Sequence, residues 1–205
     1  MLSSHQPFGE IIESSLKSLR ILCWDTQNVP TFGSIISFSY NNLTVFALIT
    51  QMVTESQDTQ RTPFAFKKTP AELALQQPQI FAFIQTVCTV SVIWHIQHTN
   101  AFESSLTIPT PPPLHTWAHV ADDKMYAKAI THRAFLDAII ENVSPDLADD
   151  CIIFLASHAA EHKIISYEAL FEFVDRYSQE LNYSLKRAQR FLKHMEPLLI
   201  QLKKG

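Results

Sequence analysis

Ile108-Pro109-Thr110-Pro111-Pro112-Pro113-Leu114 divides the sequence, because the residues on its two sides obey different periods. Four of the eleven prolines fall between positions 109 and 113. Each proline fixes φ and removes a backbone donor, so the stretch suits neither a sheet interior nor a helix. It reads as a short, stiff, polyproline-like strap. Before it, apolar residues mostly alternate, as in strands; after it they recur every three to four positions, as in amphipathic helices. The expected architecture is α+β: a small closed β-barrel over 1–108, a strap over 109–120 and a four-helix α domain over 121–205.

The 205 residues are 46% hydrophobic and 18% charged, which is ordinary for a folded globular chain. The net charge is −4, with acidic residues outnumbering basic ones on both sides of the strap, so no global field draws the chain to nucleic acid or an anionic membrane. The three cysteines, Cys23, Cys88 and Cys151, are far apart among apolar neighbours, a pattern of buried thiols in a reducing compartment. The N-terminus lacks a charged flank followed by an apolar run, and the run from Val87 to Ile96 is too short to span a bilayer. A cytoplasmic location is therefore expected. With only three glycines, Gly9, Gly33 and Gly205, no phosphate-cradling loop can be written, and nucleotide-cofactor readings fall away.

On the strand side, Gly9–Glu13, Arg20–Trp24, Gly33–Tyr40, Leu43–Val53 and Thr86–Gln97 read as strands, with Asn41-Asn42 as a two-residue hairpin turn. In the fourth, Val45, Ala47 and Ile49 share one face and Phe46 and Leu48 the other. Apolar residues on both faces suit a barrel wall packed against something else, which makes Phe46 and Leu48 candidate partner-binding residues. Thr69-Pro70-Ala71-Glu72 predicts a short capped helix.

Four patterns in order carry a resemblance: Gly9-Glu10-Ile11-Ile12-Glu13-Ser14-Ser15, Val29-Pro30-Thr31-Phe32-Gly33-Ser34, the element from Ser56 to Thr86 with Gln77-Pro78-Gln79-Ile80-Phe81, and Pro111-Pro112-Pro113-Leu114-His115. Together they resemble the HAS-barrel family, the β-barrel shared by HerA-type DNA translocases and rotary ATP synthase subunits. The resemblance covers roughly the first half of the chain. It implies a barrel that sits before a P-loop motor and helps assemble a ring, hence an ATPase as one expected partner. No motor follows in this sequence, so ATP hydrolysis does not carry over, and the barrel has no catalytic residues to transfer.

On the helical side, Asp122–Val143 is expected as one helix. Ser144-Pro145 opens a second, Ser166 caps a third, and Ser184 leads into a fourth that ends before Pro197. His158-Ala159-Ala160-Glu161-His162 matches H-x-x-E-H, which places two imidazoles on one helical face with a carboxylate between, as a zinc hydrolase requires. Glu168 and Glu172 are the candidate third ligands, but both lie close downstream and the host domain is small. Packed histidines are the preferred reading. Lys186, Arg187, Arg190 and Lys193 form a basic edge, either a nucleic-acid-binding helix of a helix-turn-helix or a solvated face. The acidic balance of this half favours the solvated face. His95 with His98, and His115 with His119, are pairs too small to make a metal site. Arg61, beside Pro63 in a polar loop, is a candidate partner or anion contact.

The expected function is a non-enzymatic interaction or assembly module, an adaptor that needs no cofactor and works through a protein partner or self-association. A nucleic-acid-binding protein and an H-x-x-E-H metallohydrolase are its rivals, in that order.

Overall fold

A computed structural model describes residues 6–26, 28–57, 65–98, 103–104, 108–181 and 184–204. Among these residues are seven strands: β1 (Pro7–Ser14), β2 (Ser18–Cys23), β3 (Ile35–Tyr40), β4 (Leu43–Ser56), β5 (Ile84–Gln97), β6 (Glu103–Ser104) and β7 (Trp117–Val120). Neighbours run in the order β2-β1-β7-β3-β4-β5, and β2 pairs again with β5, which closes a six-stranded antiparallel barrel. The short β6 is appended to β5. Closure leaves no free edge around the ring, which is how a small β protein avoids exposed ladder groups.

The strap is where sequence and structure part. Its last four residues are not connector but β7, which fills the gap between β1 and β3 through Gly9↔Ala118 and Ile36↔Val120. Without it the edges of β1 and β3 would be left unpaired. The proline run itself is tied to the barrel: Ser14 Oγ donates to the Pro112 carbonyl at 2.7 Å, and the Tyr40 hydroxyl donates to the Thr110 carbonyl. The barrel therefore uses the chain to Val120 rather than stopping at 108.

Six helices follow the capping and periodic signals with two departures. The first, α1 (Pro70–Gln76), carries a capping box between Thr69 and Glu72, as Thr-Pro-Ala-Glu dictates, and a 3₁₀ turn over Pro78–Phe83 succeeds it. Next, Asp122–Val143 is not one helix but two, α2 (Asp123–Thr131) and α3 (Arg133–Asn142). His132 breaks them in an extended conformation (φ −86°, ψ 122°), and its ring stacks on Trp94 of β5 at 5.3 Å. Nothing in the local sequence demands a break; the tertiary contact overrides helical continuity. Beyond lie α4 (Pro145–Glu161), α5 (Tyr167–Glu180) and α6 (Leu185–Lys204), which runs through Pro197 instead of ending before it. Among the described residues the region beyond the strap thus has five helices, the first expected one being split in two.

Two cores explain the alternation in β4. Val45, Ala47 and Ile49 point into the barrel with Ile11, Ile21, Phe38 and Val90. Phe46 and Leu48 point outward into a second core with Ile35, Ile93 and Trp94, where Tyr126, Phe135, Leu136 and Ile139 of α2 and α3 cover them. Phe46 is 2% exposed and Leu48 0%, so neither is available to a partner, contrary to the sequence expectation. The helices occupy that face. Tyr126 pins the junction, its hydroxyl accepting from the Ile35 N–H at 2.9 Å. Gly33, at φ +76°, lies against Phe154 of α4 so closely that a Cβ would stand 2.7 Å from the ring.

Candidate interaction surface

β4 outruns β3, while β5 stays paired with β2 as far as Thr86. The β3 pairing ends at Ile35↔Leu48, with Gly33 and Ser34 bonding once more to Ile49, whereas β4 continues alongside β5 to Ser56↔Ile84. A bulge at Thr50, between Ile49↔Val90 and Gln51↔Thr89, resets the strand's facing. The result is an arm in which β4 has an open edge beyond Ile49, β5 is backed by β2 up to Thr86, and α1 and the 3₁₀ turn follow beyond the strand ends. No described residue from Gln51 to Gln85 is buried. Leu75 is 85% exposed and Phe83 54%, with Met52, Val53 and Phe81 also facing solvent. Single exposed apolar residues need no explanation, but a run from Gln51 to Gln85 without a buried described residue, next to the buried Thr86, Val87 and Cys88, does.

The backbone of the arm has a free side. Gln57 N–H donates to the Phe83 carbonyl at 2.8 Å, so in this antiparallel ladder Gln51, Val53 and Glu55 bond toward β5. The N–H and C=O groups of Met52 and Thr54 then point away from β5, and no strand among the described residues pairs with them. Between Gln51 and Ser56 there is one charged residue, Glu55, which lies 3.8 Å from Arg20 and accepts from Gln85. Charge, proline and tight twist are the usual guards of a strand edge, and the first two are scarce here. The sequence hid this surface because Leu73, Leu75, Ile80, Phe81 and Phe83 follow neither a strand nor a helix period; the capping box was the only legible signal.

The basic edge of α6 is not a free cationic face. Arg187 forks onto the buried Asp149 of α4, donating from Nε to Oδ2 at 2.9 Å and from a terminal nitrogen to Oδ1 at 2.8 Å. Tyr177 of α5 donates its hydroxyl to the same carboxylate. Burial pushes the Asp149 carboxyl up, but the hydrogen bonds from Arg187 and Tyr177 outweigh it and hold the group below its ordinary range. Arg190 pairs with Asp150 at 2.8 Å. Of the four, Lys186 and Lys193 remain as exposed cations outside these ion pairs. The two arginines tie α6 to α4 and α5.

His158 and His162 do meet, with ring centroids 4.4 Å apart, but inside an aromatic stack. Tyr126 lies 4.8 Å from His158 and Phe154 6.0 Å. Burial, reinforced by His162, holds the His158 imidazole below its ordinary pKa. Among the described residues no group of three His, Cys, Asp or Glu side chains could hold a metal ion. The proposed third ligands are otherwise engaged: Glu168 interacts with Ser166 at its own helix start, and Glu172 pairs with Arg176 at 2.7 Å. His158 packs between α2 and α4 beside Tyr126 and Phe154, and His162, exposed at the end of α4, lies against its ring. His95 is buried in β5, and His98 shares a 2.9 Å hydrogen bond with Thr44. His115 sits 3.3 Å from Glu10, and His119 faces outward on β7. Arg61 lies outside the described residues.

A second exposed aromatic feature escaped the sequence. Trp24, just after β2, and Trp117 of β7 meet edge to face at 5.6 Å, both about half exposed. They flank β1 on the barrel face that the helices leave open. No described helix is long and apolar enough to cross a membrane. No family model matches the chain, and no curated protein matches it.

Proposed function

We propose that this protein is a non-enzymatic interaction module, an adaptor, that assembles through its β4–β5 arm with a second copy of itself. The observation that carries the reading is the arm: a nearly uncharged strand edge with outward backbone groups, beside apolar side chains that no described part of the chain covers. Strand addition across such an edge supplies main-chain hydrogen bonds, while the flanking apolar groups supply buried area. A second copy suits the edge. Antiparallel pairing about Thr54 sets each Val53 opposite Glu55 of the other copy, so the two glutamates never face one another. The closed six-stranded barrel supports the likeness to HAS barrels, in which this module assembles rings beside an ATPase; a cytoplasmic ATPase-associated role belongs to the same proposal.

Light scattering after size exclusion tests it. The full chain at roughly 100 µM, a concentration at which even weak homodimers form, is expected to run as a dimer or higher species. Thr54→Pro removes an N–H that points away from β5, so it leaves the β4–β5 ladder intact while blocking strand addition. That variant should be a monomer with unchanged circular dichroism. A monomeric parent, or a Thr54→Pro variant that still dimerises, refutes the proposal.

A further inference from the structure

The barrel closes where β2 meets β5, and two thiols face each other across that seam. Cys23 on β2 and Cys88 on β5 approach with their sulfurs 3.5 Å apart, both free and both buried. The register explains the meeting. Ile21 pairs with Cys88 and Cys23 pairs with Thr86, so the cysteines are diagonal neighbours whose side chains share the barrel interior. They lie 65 positions apart in the sequence, and only closure of the ring brings them together.

We propose that Cys23 and Cys88 form an oxidisable dithiol, a modification site whose disulfide staples the barrel shut. The sulfurs need to close from 3.5 Å to the bonding distance of about 2 Å, a movement within reach of two χ1 rotations with a small strand shift. The oxidant is hydrogen peroxide, small enough to enter as the seam breathes. The Cys88 sulfur attacks the peroxide; its S–O bond forms, the O–O bond breaks, and the leaving oxygen departs as water with the thiol proton. The Cys23 sulfur then displaces the hydroxyl from the Cys88 sulfenic acid; the S–S bond forms, the S–O bond breaks, and a second water carries away the remaining proton. Two thiols are oxidised by two electrons and one peroxide is reduced to two waters. Either sulfur can donate to the other in their 3.5 Å contact, so the same chemistry balances with the two roles exchanged.

Cys151 is the internal control. It is buried in the other core, on α4, and its thiol is pushed up to about 12 by burial, with Asp150 adding to the effect. It should neither pair nor react.

The test uses the full chain treated with hydrogen peroxide, quenched, unfolded without reductant and alkylated. The reduced protein takes up three alkyl groups, one for each free cysteine. The oxidised protein is expected to take up one, on Cys151, with a peptide joining Cys23 to Cys88 and full reversal by dithiothreitol. Because the bridge would close a long loop, the melting temperature should rise by on the order of 10 °C, less whatever strain the bridge stores. Cys23→Ser and Cys88→Ser should each abolish both the bridge and the rise, and Cys151→Ser neither. Uptake of three groups after peroxide, sulfinic acid at Cys88 in place of a bridge, or a bridge involving Cys151 would each overturn the proposal. A bridge that forms but lowers the melting temperature would overturn its role as a staple.

Discussion

Removing the guanidinium of Arg187 should loosen the last helix more than any other single change on its surface. Asp149 has 4% of its side chain exposed and depends on three donors: Arg187 Nε, an Arg187 terminal nitrogen and the Tyr177 hydroxyl. Arg187→Ala deletes two of them and strands a carboxylate that water cannot reach. Breaking a buried pair in this way costs about 3–5 kcal/mol. Arg187 is itself about one-third exposed and Tyr177 still donates, so the lower end, about 3 kcal/mol, applies. For a chain of this size that corresponds to a fall in melting temperature of roughly 6–12 °C.

Asp149→Asn should cost about 2 kcal/mol, and the double variant less than the sum, with a coupling energy of about 1–2 kcal/mol by urea unfolding. The pH dependence has a definite sign. The folded Asp149 carboxyl sits below its unfolded value of about 3.9, so its contribution is complete above that pH and is lost as pH falls through the folded pKa. The parent should therefore lose stability below about pH 4 more steeply than Asp149→Asn. An Arg187→Ala cost within about 0.5 kcal/mol of zero, or strictly additive variants, would refute the lock.

Two further outcomes follow from the double-sided wall of β4. Leu48→Ala and Ile49→Ala remove side chains buried at 0% on opposite faces, and each should cost about 2–5 kcal/mol by urea unfolding while dimer formation persists at pH 7. Gly33→Ala forces an L-residue to φ +76° and drives its Cβ into Phe154; a loss of about 2 kcal/mol is expected, and a Phe154→Ala background should recover the steric part but not the backbone part.

Much of the fold was legible because it is local. The alternation in β5, the Asn41-Asn42 turn with both residues at positive φ, and the Thr69 capping box are each decided within a few residues. What stayed hidden depends on contacts far apart in the chain. Trp117–Val120 contains too few residues to declare itself a strand, and only the gap between β1 and β3 makes it one. His132 looks like any helical residue until Trp94 offers its ring. The candidate sites failed for the same reason. Motif spacing put His158 and His162 on one helical face correctly, but what surrounds that face, Tyr126 and Phe154 rather than acidic ligands, is set by packing. Likewise the spacing of Arg187 and Arg190 reads as a cationic stripe until Asp149 and Asp150 arrive from α4.

The arm is the element whose own energetics do not balance. A seven-residue helix with no buried residue has too few hydrogen bonds to offset its nucleation, and even with a capping box worth about 1 kcal/mol it is marginal in water. The strands beneath it are better held, since Thr54 and Thr86 share a hydroxyl bond at 2.9 Å and β2 flanks β5 as far as Thr86. Stability therefore falls along the arm, from the barrel seam at Cys88 outward to Leu75. A partner seated on Met52 and Thr54 would meet the firm base first, and burying Leu75, Phe81 and Phe83 would then supply the packing that α1 lacks. Under the adaptor proposal, ordering and docking would be one step.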